Sequence, residues 1–119
     1  MKHLLIVLVA LFCMVGQVHD AMAANLRILK DSVVARFDDA DWQMLQNAVA
    51  DALEQSADGA SVTWRNDKSG HWGTVTPLNT LQQQGLKCRL VRFVNHTKDQ
   101  TGSGTAKYCD TKTGWKVAH

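Results

Sequence analysis

The chain has 119 residues, with 13 Lys plus Arg against 11 Asp plus Glu and a formal net charge of +2. So small an excess, spread without a basic stripe, excludes a dedicated nucleic-acid binder. The length suits one domain, which buries somewhat over about 60% of its unfolded surface and gains from a covalent staple.

The first residues read as an export signal. Lys2 and His3 precede an apolar run over residues 4–16. Gln17, His19 and Asp20 follow, and Ala21-Met22-Ala23 supplies small residues at the positions a signal peptidase reads. Cleavage after Ala23 is expected, giving a signal peptide over 1–23 and a domain over 24–119. The run of about 13 residues falls short of the roughly 17 to 25 that a spanning helix needs, and no second such run follows, so no transmembrane segment is expected after cleavage. A lipidated Cys13 is the competing reading. A lipobox wants a small residue just before the cysteine and Leu three before it, and Phe12 and Ala10 hold those places. The expected location is the periplasm or the medium, with outer-membrane association as a further option.

Residues 26–36 mix apolar and charged side chains, and the pattern does not decide between a short helix and an extended arm. At Phe37-Asp38-Asp39-Ala40-Asp41-Trp42 a helix start is plain. Asp38 is the N-cap, acids fill the first turn against the positive end of the dipole, and Phe37 with Trp42 forms a hydrophobic staple. The helix is expected to run to Gln55. Trp42, Leu45, Val49, Ala52 and Leu53 recur at helical spacing and form the expected buried stripe.

After Gly59 the apolar period changes from 3.6 to 2. Val62 and Trp64 share one strand face; Trp72, Thr74 and Thr76 share one on the next. The turn is 66–70, with Gly70 at its positive-φ position. Pro77 cannot donate to a ladder and is expected to end the second strand, leaving 78–85 as a connection. Strands are expected at 86–95 and 104–110, joined by a polar loop, with a last short strand over 115–118. Cys88 and Cys109 are an even pair in an oxidising compartment, so a disulfide between them is the default expectation. The fold class expected is α+β: one main helix packed on a four- to five-stranded antiparallel sheet with one disulfide.

Several pieces, taken in order, resemble a known family: Trp64-Arg65-Asn66, Ser69-Gly70, Gly73-Thr74-Val75-Thr76-Pro77, Cys88-Arg89, Gly104-Thr105-Ala106, Cys109 and Gly114-Trp115. They are similar to the C-terminal domain of the bacterial outer-membrane surface antigens typified by the rickettsial seventeen-kilodalton common antigen. Leu29-Lys30-Asp31-Ser32 and residues 36–42 look like the segment that leads into that domain. The resemblance covers nearly all of the chain after the signal. It implies an envelope protein without known chemistry, at or near the outer membrane. Longer relatives carry a lipidated cysteine and a Gly-rich membrane-associated segment, and neither is recognisable here.

Catalytic patterns are thin. Lys112-Thr113-Gly114 matches an element of penicillin-recognising serine enzymes, but no S-x-x-K accompanies it. Cys88 with His71 or His96 as base is less expected than a disulfide in an exported protein. His71, His96 and His119 are widely spaced, with no zinc-site spacing. No catalytic residue, cofactor or metal is therefore expected. The basic residues Lys87, Arg89, Arg92, Lys107, Lys112 and Lys116 lie in the C-terminal half. A solvated strand face explains them better than anionic lipid does. Recognition remains. Of the four tryptophans, Trp42 and Trp64 are assigned to the core, while Trp72 and Trp115, beside turns, are candidate exposed anchors together with His71 and Arg89. The expected function is a non-enzymatic envelope protein whose partner is another envelope or host protein, or a glycan. The alternative is a small periplasmic inhibitor or a carbohydrate- or protein-binding module.

Overall fold

The computed structural model describes residues 32–118. The expected signal peptide, Cys13, the start of the undecided 26–36 segment and His119 lie outside the described residues. A 3-10 turn, Val33–Arg36, leads into helix α1, Asp39–Gln55. Five strands follow: β1 Val62–Arg65, β2 Trp72–Gln83, β3 Leu86–His96, β4 Thr101–Thr111 and β5 Gly114–Ala118. They form one antiparallel sheet in sequence order, as a meander. The architecture is thus the expected one, a main helix on an antiparallel sheet, stapled by Cys88–Cys109.

The helix begins where its sequence says it should. Asp38 accepts from the Asp41 backbone N at 2.8 Å, and Asp41 accepts in return from the Asp38 N at 3.0 Å, satisfying two of the N–H groups that a helix start leaves open. Phe37 meets Trp42 edge to face at 5.7 Å, the expected staple. Leu45, Ala48, Ala52 and Leu53 face the sheet and pack with Trp64, Val75 and Val91 as the core. Each large aliphatic side chain so buried contributes roughly 1.5–3 kcal/mol. Alternation in β2 places Gly73, Val75 and Pro77 inward. The register carries that face across to Asn95, Phe93 and Val91 on β3, and on to Gly102, Gly104 and Ala106 on β4.

Three expectations need correction. Pro77 does not end β2, which continues through it to Gln83. The N and the carbonyl of a strand residue point the same way, and the Pro77 carbonyl accepts from Gly59 N, beyond the last β1 pair at Val62 and Val75. The missing N–H of proline therefore faces a side where no ladder bond was due. A register shift between Pro77 and Asn79 absorbs the extra residue, Leu78. Residues 78–85 are accordingly strand plus a tight turn, with Gln84 and Gly85 both at positive φ, 51° and 77°. The second correction is the loop between β3 and β4, which is only 97–100. Third, Trp42 is not core: it is 37% exposed at the edge of the stripe, whereas Trp64 is buried as expected.

Candidate binding groove between the helix and the sheet

The reason for Trp42's exposure is also the origin of the groove. On the inward face of β4, Gly102 and Gly104 carry no side chain: Val33 of the 3-10 turn closes over Gly102, where an added Cβ would lie 3.0 Å from its Cγ2, while the space over Gly104 is left open beside the helix. Trp42, Leu45, Gln46 and Val49 form one wall, at the i, i+3, i+4, i+7 spacing of one helix face. Phe93, Asn95 and Tyr108 rise from the other side, and Val33 with Val34 of the 3-10 turn bounds the space where α1 begins. The cavity is about 570 Å³ and half-open; among the described residues no Asp, Glu, Lys, Arg or His lines it, and Ser32, Gln46, Asn95, Ser103 and Tyr108 supply its polar groups.

Asn95 stands out in this lining. It is only 7% exposed, yet its Oδ1 is buried without a hydrogen-bond partner among the described residues, as is Nε1 of Trp64. The two flank Gly73 on neighbouring strands. A Cβ built on Gly73 would lie 2.5 Å from Asn95 Oδ1, 2.7 Å from Trp64 Nε1 and 2.6 Å from the Val94 carbonyl. Glycine is needed here for close approach, and an orphaned buried polar atom costs roughly 1–3 kcal/mol. By contrast, a Cβ at Gly104 meets nothing within 4 Å, because it would point into the groove.

A second polar cluster lies at the helix start. Asp41 is fully buried and receives Asn66 Nδ2 at 2.9 Å and Ser69 Oγ at 2.6 Å, with His71 Nδ1 at 2.7 Å. Burial pushes its carboxyl up, but the hydrogen bonds from Ser69, the Asp38 backbone, His71 and Asn66 outweigh that and hold it at about 2. Serine, histidine and aspartate meet here, but not as a relay. Ser69 donates to the carboxylate instead of activating itself on the imidazole, so the cluster ties the helix start to the β1–β2 turn.

The residues expected to mark a binding surface are dispersed, three of them along the helix and Trp72 on the other side of the sheet. His71 is at the N-terminal end, on Asp41, with Phe37 stacked on it at 5.6 Å. Arg89 is at the opposite end and inside, 5% exposed. Its guanidinium donates to the carbonyls of Ala52, Leu53 and Ser56, to Asp58 Oδ1 and to Thr80 Oγ1, all within 3.0 Å. All five of its N–H donors are used, three of them closing the helix C-terminus on the Ala52, Leu53 and Ser56 carbonyls. The same guanidinium, with Thr80, lowers the Asp58 carboxyl. Trp115 is half-buried against the core, with its Nε1 donating to Glu54. Trp72 is on the sheet's outer face, and His96 lies parallel to its ring at 3.9 Å while Arg65 covers it from the other neighbouring strand at 5.3 Å. Both faces of that indole are occupied, which leaves no platform for a sugar ring.

Sequence reasoning missed the groove. Its signals were Gly102 and Gly104, two residues apart and so on one strand face; the sequence reading places Gly102 in the loop and Gly104 at the start of the next strand, which separates them. Among the described residues no group of three or more His, Cys, Asp or Glu is placed to hold a metal ion, and no helix is long and apolar enough to cross a membrane.

Comparison with known proteins gives one kind of match. The chain is 34% identical over 93 residues to the 17 kDa surface antigen of Rickettsia bellii strain RML369-C, a stretch covering 75% of this chain and 57% of the antigen. The 17 kDa surface antigen of Rickettsia bellii without strain designation matches to the same extent. The chain is therefore a distant relative of the rickettsial surface antigens, and it spans little more than half the length of the curated relatives it matches. No family model matches, and no solved structure does.

Proposed function

We propose that this chain is a non-enzymatic, exported domain of the bacterial cell envelope that acts by recognition, through the groove between α1 and the β3–β4 floor. The observation that carries this reading is the cavity of about 570 Å³, open over Gly104 and lined by no charged side chain among the described residues, within the size range of ligand sites. The similarity to surface antigens supports the envelope location. The absence of a catalytic arrangement at Asp41, Ser69 and His71, and the use of Cys88 in a disulfide, support a role without chemistry. The recognition surface thereby moves from Trp72 and Trp115 to Trp42 and its neighbours.

The test is positional. A photo-crosslinking amino acid is placed at Trp42 in the groove, or at Thr74 on the opposite face, in cells that are then irradiated intact and fractionated. An adduct formed from position 42 in the envelope fraction, and absent from position 74, is the expected result. Adducts independent of position, or recovery of the chain in the cytosol, would overturn the reading.

A further inference from the structure

β4 is longer than the strand beside it. On one side it pairs with β3 from Thr101 to Cys109, whereas on the other β5 covers only Lys107 to Thr111. From Thr101 to Ala106 that second edge has no strand partner among the described residues. Cys88 and Cys109 stand only 4.0 Å apart at Cα, the close spacing of an antiparallel pair that exchanges no hydrogen bonds, so the backbone groups of Cys109 point toward β5. Alternation gives Thr105, Ser103 and Thr101 the same direction. Carried the other way across the sheet, it turns the Pro77 carbonyl toward β1, where Gly59 N meets it. The N–H and C=O groups of Thr101, Ser103 and Thr105 therefore face outward at the open edge.

Edges of this kind are usually blunted by lysine, proline, a bulge or a covering loop. At the far side of the sheet β2 also outruns its neighbour, and there Pro77, the bulge at Leu78 and Asp58 on the Thr80 hydroxyl stand in the way. Thr101 to Ala106 has none of these. It carries no charge and no proline, its register with β3 is unbroken, and Thr101, Ser103, Gly104 and Thr105 are exposed. A row of unspent donors and acceptors at strand spacing is matched by another strand and by little else.

The open edge also borders the groove. A strand laid along it would turn every second side chain to the face of Gly102, Gly104 and Ala106, toward Trp42, Val49, Phe93 and Tyr108. Val33 already fills the place over Gly102, but over Gly104 there is room, and a bulky residue on a neighbouring strand shields such a glycine. No charged side chain among the described residues lines the groove, so that bulky residue is uncharged. A second copy pairing through its own β4 would bring only glycine and alanine to this face and leave the groove unfilled.

We propose, on the reading that the groove is the recognition site, that β4 takes up an extended segment of a partner polypeptide along Thr101 to Ala106. The segment runs antiparallel to β4, in line with β5, and places a bulky uncharged side chain over Gly104. The probe is the blocked peptide acetyl-Thr-Phe-Thr-Ala-Thr-amide, titrated into the isotope-labelled chain and followed by NMR. The amide signals of Thr101, Ser103 and Thr105 should shift and their hydrogen exchange should slow on binding. Methylating the peptide nitrogen of its central threonine, which faces β4, should weaken binding by about tenfold or more. Exchanging its phenylalanine for glutamate should do the same. Ser103→Pro removes an outward N–H and leaves the β3 ladder whole, so Tm should hold while affinity falls by about tenfold or more. If Ser103→Pro unfolds the chain, the methylated peptide decides alone.

Undiminished binding of the methylated peptide, full affinity in a folded Ser103→Pro chain, shifts that bypass the three amides, or no binding of the probe would each overturn the proposal. A dimer of the free chain that Ser103→Pro dissolves would overturn it in favour of pairing between copies. Position-dependent crosslinking from residue 42 would in any of these cases still uphold the groove as a recognition site for another class of partner.

Discussion

His71 Nδ1 lies 2.7 Å from Asp41 Oδ2, across thirty residues of chain, so the first turn of the helix and the β1–β2 turn are joined through one buried carboxylate. The folded protein holds that carboxyl at about 2, below the ordinary 3.8. A folded-state value below the unfolded one means that stabilisation is fully present above about pH 4 and is lost as pH falls toward 2. The amount is about 2 kcal/mol. Chemical denaturation at pH 5 and pH 2 should show a fall of at least that size, and Asp41→Asn should reduce the difference between the two.

Gly73 and Gly104 should respond oppositely to the same substitution. At Gly73 a methyl group meets a backbone carbonyl at 2.6 Å and two buried side chains, so Gly73→Ala should destabilise by about 2–3 kcal/mol. At Gly104 there is open space and no positive φ, so Gly104→Ala should stabilise by about 0.4–1 kcal/mol. Urea denaturation of the pair decides it. Equal losses would mean the β4 floor is not open.

Arg89→Met keeps much of the side chain's bulk while removing every donor to the helix end. Leaving the carbonyls of Ala52 and Leu53 without those donors should cost about 3–5 kcal/mol. Arg89→Lys should recover only part of it, because one ammonium cannot span Ser56, Asp58 and Thr80 together. Full rescue by lysine, read from the thermal midpoint, would contradict the account of Arg89 as a multidentate cap.

The tryptophans should separate in an alanine series. Trp64→Ala removes a buried ring and leaves a cavity, at about 3–5 kcal/mol. Trp42→Ala loses only a half-exposed ring and its edge contact with Phe37, at about 1 kcal/mol. Similar losses at both positions would place Trp42 back in the core and close the groove.

Cys88→Ser and Cys109→Ser should each destabilise by about 2–5 kcal/mol, and the double variant should be no worse than either alone, since one bridge is lost in all three. Additive losses would be incompatible with the pairing.

Local chemistry made the helix readable: the Asp38 cap, the Phe37–Trp42 staple and the apolar spacing fix its ends at Asp39 and Gln55. What failed were features decided by distant partners. Leu78 to Gln83 are exposed on both faces, so no alternation marked them as strand. Pro77 is tolerated because β1 has ended beside it, which the residues around Pro77 do not announce. Arg89 closes a helix more than thirty residues upstream. Trp42 lies on the apolar stripe as expected, but spacing cannot tell that the stripe's edge borders an open groove.

Cys88 stands directly opposite Cys109, in the same β3–β4 ladder that sets Asn95 against Gly102 and Phe93 against Gly104. Slipping that ladder by one residue would send the two sulfurs to opposite sides of the sheet and prevent their union. Oxidation of this pair therefore acts as a proofreading step: only a chain whose β3 and β4 are aligned to the residue can be sealed, and that alignment is the one that clears the floor beneath Trp42.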